Sequence, residues 1–294
     1  MTKSILWPFS RQNQLYSETS SKEIPHGGIT FLALVGILVF TLISTAIIVI
    51  ITKAAGIELP QLISGLLQFI FFILAVWFYT STVEKRSFHS LGFFNNRRLK
   101  NYLRGLLIGI SLITISFVII SFVTTTNIVF SFNFNISSIL SILSVLAFFL
   151  IQGASEEIVF RGWFLQSVAV RHWPWLGIVL STFLFALVHM ANPNFNLIAG
   201  VNILLIGFLL ALLALYDGSL WSVCGFHSAW NFSMNSIFGI NVSGNKLIGE
   251  TLMETNFEGN HLITGGDFGL EGSIVVTIMI VLISILVIFL KKMD

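Results

Sequence analysis

Charge is what this 294-residue sequence has least of: Asp, Glu, Lys and Arg together make 10%, against 55% apolar residues and a mean hydropathy of +0.92. So small a charged fraction excludes a soluble globular domain, and a net charge of +2 is too little to hold nucleic acid as a partner. The one cysteine, Cys224, has no partner for an internal disulfide, so redox compartment is left open. In an apolar helix it reads as a small buried residue. Residues 1–28 lack the apolar core and small-residue cleavage site of a secretory signal and are expected to form a cytoplasmic N-terminal segment. Repeats, low-complexity tracts and sharp linkers are missing too, which leaves 29–294 as one membrane-embedded domain.

What the chain does have is apolar runs of about 20 residues, each enough to cross about 30 Å of hydrocarbon. Eight are expected, near 29–52, 60–82, 102–125, 138–156, 175–191, 197–215, 219–238 and 272–290. The fold class is therefore all-α, a polytopic membrane protein with about eight transmembrane helices and membrane lipids as its surroundings. Lys3, Arg11, Lys22, Lys85, Arg86, Arg97, Arg98, Lys100, Arg104, Arg171, Lys291 and Lys292 all fall on one side if both termini are cytoplasmic. The other side receives only Lys53 and Lys246, with Glu250, Glu254, Glu258, Asp267 and Glu271 in an outer loop near 239–271; an excess of basic residues marks the cytoplasmic face. In the inner loop from Val83 to Asn101, bases alternate with Phe88, Leu91, Phe93 and Phe94, which fits either a segment lying on an anionic membrane surface or a plain topological anchor. Gly105-x-x-x-Gly109 would permit close helix contact.

Three polar signatures interrupt the least clean runs: Glu156-Glu157-x-x-x-Arg161, Phe185-x-x-x-His189 and His227-x-x-x-Asn231. A charged group at hydrocarbon depth costs about 2.5–3.5 kcal/mol on insertion scales, so these residues are functional candidates. Residues four apart share a helix face and adjacent ones diverge by about 100°, so Glu157 and Arg161 should pair while Glu156 points elsewhere. A desolvated Glu156 would suit a general base. His227 and Asn231 share a face and together could bind an oxyanion or hold a water, or simply tie helices together. His189 taken alone is as readily a packing hydrogen-bond donor, and Phe185 is expected to pack. A reversal near Trp173-Pro174 would put Glu156, about 17 residues before it, and His189, about 15 after it, at similar depth. The turn Asn192-Pro193-Asn194 then falls short of the outer surface, which is tolerated only against protein or a water-filled cavity.

Taken in order, the three motifs resemble those of the CPBP intramembrane proteases, the CAAX-protease and bacteriocin-processing family also called Abi, over residues 148–235. The resemblance implies an eight-helix fold around an intramembrane catalytic cavity, making 29–294 a protease domain. It also implies hydrolysis of a peptide bond in a membrane-associated or lipidated peptide or protein substrate. In prokaryotic members bacteriocin or pheromone maturation and self-immunity are the associated roles, which would set the protein in a bacterial plasma membrane. Carried over by position, Glu156 with His189 would activate water, His227 and Asn231 would stabilise the oxyanion, and Glu157 and Arg161 would hold the helix. The family has been described both as glutamate proteases and as metalloproteases. The compact H-E-x-x-H arrangement is missing, so no cofactor is the preferred expectation, while Glu156, His189 and His227 would be the ligands if zinc is used. A non-catalytic immunity or scaffold protein stays open as an alternative, and a transporter less so for want of repeat symmetry. Oligomeric state is not legible.

Overall fold

The computed structural model describes residues 7–94, 97–246 and 248–293; Lys3 and the side chain of Lys292 lie outside the described residues. Long helices follow the apolar runs: α1 (Gly27–Ala54), α2 (Gln61–Thr82), α3 (Arg98–Val123), α4 (Ile136–Glu157), α5 (Gln166–Arg171), α6 (Pro174–His189), α7 (Leu197–Asp217) and α8 (Trp221–Phe232), then the single turn α9 (His261–Thr264) and α10 (Ile274–Met293). Their starts are set by local chemistry. Asn135 and Asn196 accept the Ser138 and Ala199 amides from outside α4 and α7, satisfying donors that a helix N-terminus leaves unpaired. Pro174 occupies the first turn of α6, where its missing N–H costs nothing. Gly218 ends α7 at φ +60°, a left-handed conformation that favours glycine.

Among the described residues, six helices are long and apolar enough to cross a membrane. The two of the expected eight that fall short are α6, with 16 residues, and α8, with 12. These carry His189 and His227. The chain is all-α and polytopic in character, with exposed apolar side chains such as Phe40, Ile50, Leu107 and Phe122 along its outer helices, a surface that suits hydrocarbon.

Span four differs most from its expected bounds of 138–156. It runs unbroken from Ile136 to Arg171 because Ile158–Leu165 continue as a π-helical stretch joining α4 to α5. The drop in hydropathy at Glu156–Arg161 does not end the helix, because Glu157 and Arg161 pair with each other within it. The reversal does fall between Arg171 and Pro174, as the proline requires.

The most buried helix is α8, buried at every residue from Ser222 to Asn231. It packs most extensively on α3 and next on α4, through missing side chains. A Cβ on Gly105 or Gly225 would overlap the backbone carbonyl of Ser222 or Tyr102, and one on Gly109 would stand 2.5 Å from the Phe226 oxygen. Close contact at Gly105-x-x-x-Gly109 is thus realised, against α8.

The 239–272 segment is not a free excursion. Strand β1 (Thr125–Phe130) pairs antiparallel with β2 (Met253–Glu258), from Thr125 opposite Glu258 to Phe130 opposite Met253. Sequence reading ended span three at 125 and assigned no strand to the residues after it. Glu271, expected in an exposed acidic loop, is 4% exposed; it accepts from Trp230 Nε1 at 3.0 Å and from the Ser243 amide and hydroxyl at 2.9 and 2.6 Å. Asn192 Nδ2 donates to Ser243 O at 2.9 Å, so the Asn192-Pro193-Asn194 turn is tied to this segment at Asn192, while Pro193 and Asn194 are exposed.

On the opposite face the loop that follows Val83 also turns inward. Leu91 is fully buried, Phe88 stacks on Phe93, and Phe93 meets Trp221 edge-on. Arg86 is not part of an exposed basic belt. It is buried, pairs with Glu84 at 2.6 Å and donates to Thr19 and Ser167. Burial lowers its pKa, and Glu84 opposes that shift. Trp163 Nε1 also donates to Glu84, at 2.9 Å, so the N-terminal segment and this loop clamp the π-helical stretch.

Because α3 and α8 meet backbone to backbone, Gly105→Ala should cost at least about 1–3 kcal/mol, read as a lower unfolding midpoint in detergent. Gly36→Ala, where nothing lies within 4 Å, should leave it unchanged.

Candidate active site

Four helical segments bring the polar signatures to one point. Glu157 is fully buried and its Oε1 accepts two hydrogen bonds, from Arg161 Nη1 at 3.0 Å and from His227 Nδ1 at 2.8 Å. The first is the i,i+4 pair that the spacing requires. The second was not foreseen and joins the motif of α4 to that of α8. Arg161, also fully buried, donates from Nη2 to Gly207 O on α7 at 3.0 Å and lies 4.3 Å above the Phe185 ring. A guanidinium this deep is held by a carboxylate, a carbonyl and an aromatic face from three other segments.

Phe185 packs, as expected, yet it does so at the centre of the site. Its ring lies 4.6 Å from that of His189, 6.1 Å from that of His227 and 5.3 Å from that of Phe160. His189 closes α6 and donates from Nδ1 to Phe185 O at 2.7 Å. Both imidazoles therefore spend Nδ1–H on fixed acceptors, a carboxylate and a carbonyl, which assigns the tautomer and leaves each Nε2 free.

Both free nitrogens face Glu156. Its Oε2 lies 3.9 Å from His189 Nε2 and 3.8 Å from His227 Nε2, beyond hydrogen-bond reach, and is a buried oxygen without a hydrogen-bond partner among the described residues. Such a spacing leaves room for one bridging water. The other oxygen, Oε1, accepts from Gln152 Nε2 at 2.7 Å. Asn231 does not touch Glu156 directly; its Nδ2 donates to Gln152 Oε1 at 2.9 Å. All six sequence candidates thus meet in one network, with Asn231 joined through a residue that sequence reading missed. Gln152 lies four residues before Glu156, and that polar i,i+4 spacing in an apolar run was its signal.

The site is the floor of a cavity of about 810 Å³. Apolar side chains of α1, α2 and α4 form one wall, among them Leu42, Phe69, Phe72 and Phe149, and Asn192, Asn235, Asn245 and Lys246 lie toward the 239–272 side.

Glu156, His189 and His227 are the residue types zinc prefers, but ligands on a tetrahedral zinc stand about 3.4 Å apart. The observed 3.8 and 3.9 Å do not fit without closure, and no group of three or more His, Cys, Asp or Glu among the described residues is disposed to hold a metal. No chemical step is therefore drawn through a metal below.

With the geometry in place, comparison with known proteins finds a similarity over the segment that carries it. Residues 137–233 match the family described as Type II CAAX prenyl endopeptidase Rce1-like. Over this third of its length the chain is similar to that family. The matched segment runs from the first turn of α4 to just past α8 and so contains all three motifs and Gln152. No curated protein and no solved structure matches the chain. That family is one of endopeptidases, and the six helices long and apolar enough to cross a membrane among the described residues fit an integral membrane protein.

Glu157→Ala would leave the Arg161 guanidinium buried and unpaired, a change that costs about 3–5 kcal/mol. Thermal unfolding in detergent should show that loss, together with an inactive protein.

Proposed function

We propose that this protein hydrolyses a peptide bond of a lipidated or membrane-associated peptide, using a water held by Glu156. The observation that carries the reading is the position of Glu156 Oε2 between two imidazole nitrogens at 3.8 and 3.9 Å, on the floor of a cavity whose walls are largely apolar. Those walls suit a substrate with a prenyl or other apolar tail.

Water bound by Glu156 and His189 Nε2 loses a proton to Glu156 Oε2, and its oxygen adds to the carbonyl carbon of the substrate. The resulting oxyanion accepts hydrogen bonds from Asn231 Nδ2 and from His227 Nε2 in its protonated form, with Glu157 as counter-ion behind it. Glu156 then returns its proton to the leaving amine nitrogen as the C–N bond breaks. Glu157 and Arg161 orient the imidazole and hold the helix rather than react. Membrane lipids would deliver the substrate; processing and immunity roles share this chemistry.

The test uses purified protein in liposomes with a farnesylated peptide ending in a CAAX sequence, bearing a fluorophore and a quencher on either side of the scissile bond. Glu156→Gln should lower kcat by about 10²–10⁴-fold and Asn231→Ala by about 10²–10³-fold. Unchanged cleavage in Glu156→Gln would remove the assigned roles, and an intact peptide with a preserved cellular effect would favour a non-catalytic scaffold. Turnover should persist in a strong chelator; abolished turnover restored by zinc would overturn the metal-free chemistry.

A further inference from the structure

Nothing in the three motifs includes Gln152, yet it is the residue through which Glu156 and Asn231 communicate. Its position follows from packing. Gly153, the next residue, lets α4 approach α8 so closely that a Cβ there would stand 2.8 Å from the Ser228 amide nitrogen. Ser228 lies between His227 and Asn231, so Gln152 is delivered to the same stretch of α8. It is only 9% exposed, and both ends of its carboxamide are engaged.

The direction of those bonds is dictated by one group. An ionised carboxylate only accepts, so the end of Gln152 facing Glu156 must be its NH₂. Its carbonyl then faces Asn231, which must answer with its own NH₂. One hydrogen of Asn231 Nδ2 is used in this bond and the second is left for another acceptor. On the Glu156 side, Oε1 is filled by Gln152, so Oε2 is the oxygen left facing His189 and His227.

We infer that Gln152 is a positioning residue of the reaction, fixing through two hydrogen bonds both the oxygen of Glu156 that receives the proton of water and the N–H of Asn231 that meets the oxyanion. This rests on the peptidase reading of the site and deepens it. In the step concerned, the water proton moves to Oε2 while Oε1 keeps its hydrogen bond from Gln152. The proton leaves again from Oε2 to the departing nitrogen, and Gln152 itself neither gains nor loses a proton. The role differs from filling space: an apolar side chain of equal size would pack as well but would leave Glu156 free to turn.

The experiment compares Gln152→Met and Gln152→Glu, both close in size to glutamine, with the wild type on the farnesylated liposome peptide. Gln152→Met should lower kcat by about 10²-fold, the scale of a misaligned reacting group, with KM within about twofold and an unfolding midpoint close to that of the wild type. Gln152→Glu should be lower still at neutral pH, because it replaces a donor by a like charge facing Glu156. Adding Gln152→Met to Asn231→Ala should cost much less than it does alone, since the two act as one unit. Near-wild-type kcat in both Gln152 variants, or full additivity with Asn231→Ala, overturns the inference. If the wild type leaves the peptide intact, the peptidase reading falls, and the positioning is tested without turnover. Side-chain amide signals of ¹⁵N-labelled protein in nanodiscs should shift for both Gln152 and Asn231 in Glu156→Ala. An unmoved Asn231 signal there shows that no relay exists.

Discussion

The site depends on one buried carboxylate. Glu157 holds Arg161 at 3.0 Å and His227 at 2.8 Å through the same oxygen, and each of these partners comes with further commitments. Arg161 reaches α7 through Gly207 and α6 through the face of Phe185. His227, once oriented, turns its remaining nitrogen to Glu156. A charge at this depth is tolerated only when paired and hydrogen-bonded, so the pairing that makes burial possible also aims the imidazole. The adjacent acid, a hundred degrees round the helix, is left facing the cavity.

The remaining fold keeps that arrangement in register. Glycines on α3, α4 and α8 bring backbones close enough that His227 and Asn231 meet the end of α4. The Glu84–Arg86 pair holds the π-helical stretch through Trp163, which donates to Glu84. Glu271 and β1–β2 bind the 239–272 segment over the opposite end. This division leaves α1, α2 and α10 with lipid-facing apolar surface and puts the polar chemistry on the long run from Ile136 to Arg171, on the short apolar α6 and on α8. Along α8 hydropathy and function are opposed for a physical reason: the residues that react are the ones a bilayer would reject.

Much of this was legible in the sequence because burying charge is costly. Glu156, Glu157, Arg161, His189, His227 and Asn231 stood out from apolar runs, and helical periodicity separated the two glutamates before any coordinates. The Trp173-Pro174 reversal placed Glu156 and His189 at one depth, and they lie 3.9 Å apart. Gln152 was passed over because a neutral carboxamide gives a weaker signal than a charge and belongs to none of the motifs. The Glu157–His227 bond was hidden because it joins residues 70 apart, which no local spacing can show. Arg86 and Glu271 looked like surface charges since their loops are polar overall; each is buried by a partner distant in sequence, Thr19 for one and Trp230 for the other. Strand β1 was not expected because the strand it pairs with, β2, lies far along the chain.

The convergence of α4, α6 and α8 on one point is the claim that everything else requires, and it can be measured without a substrate. Glu156→His places a third imidazole at that point, and cobalt(II) added to this variant draws the three rings together and reports their geometry by visible absorption. The account predicts one cobalt per chain with a tetrahedral spectrum, lost when either His189→Ala or His227→Ala is added. Failure to bind cobalt, or a spectrum indifferent to both histidines, would contradict it.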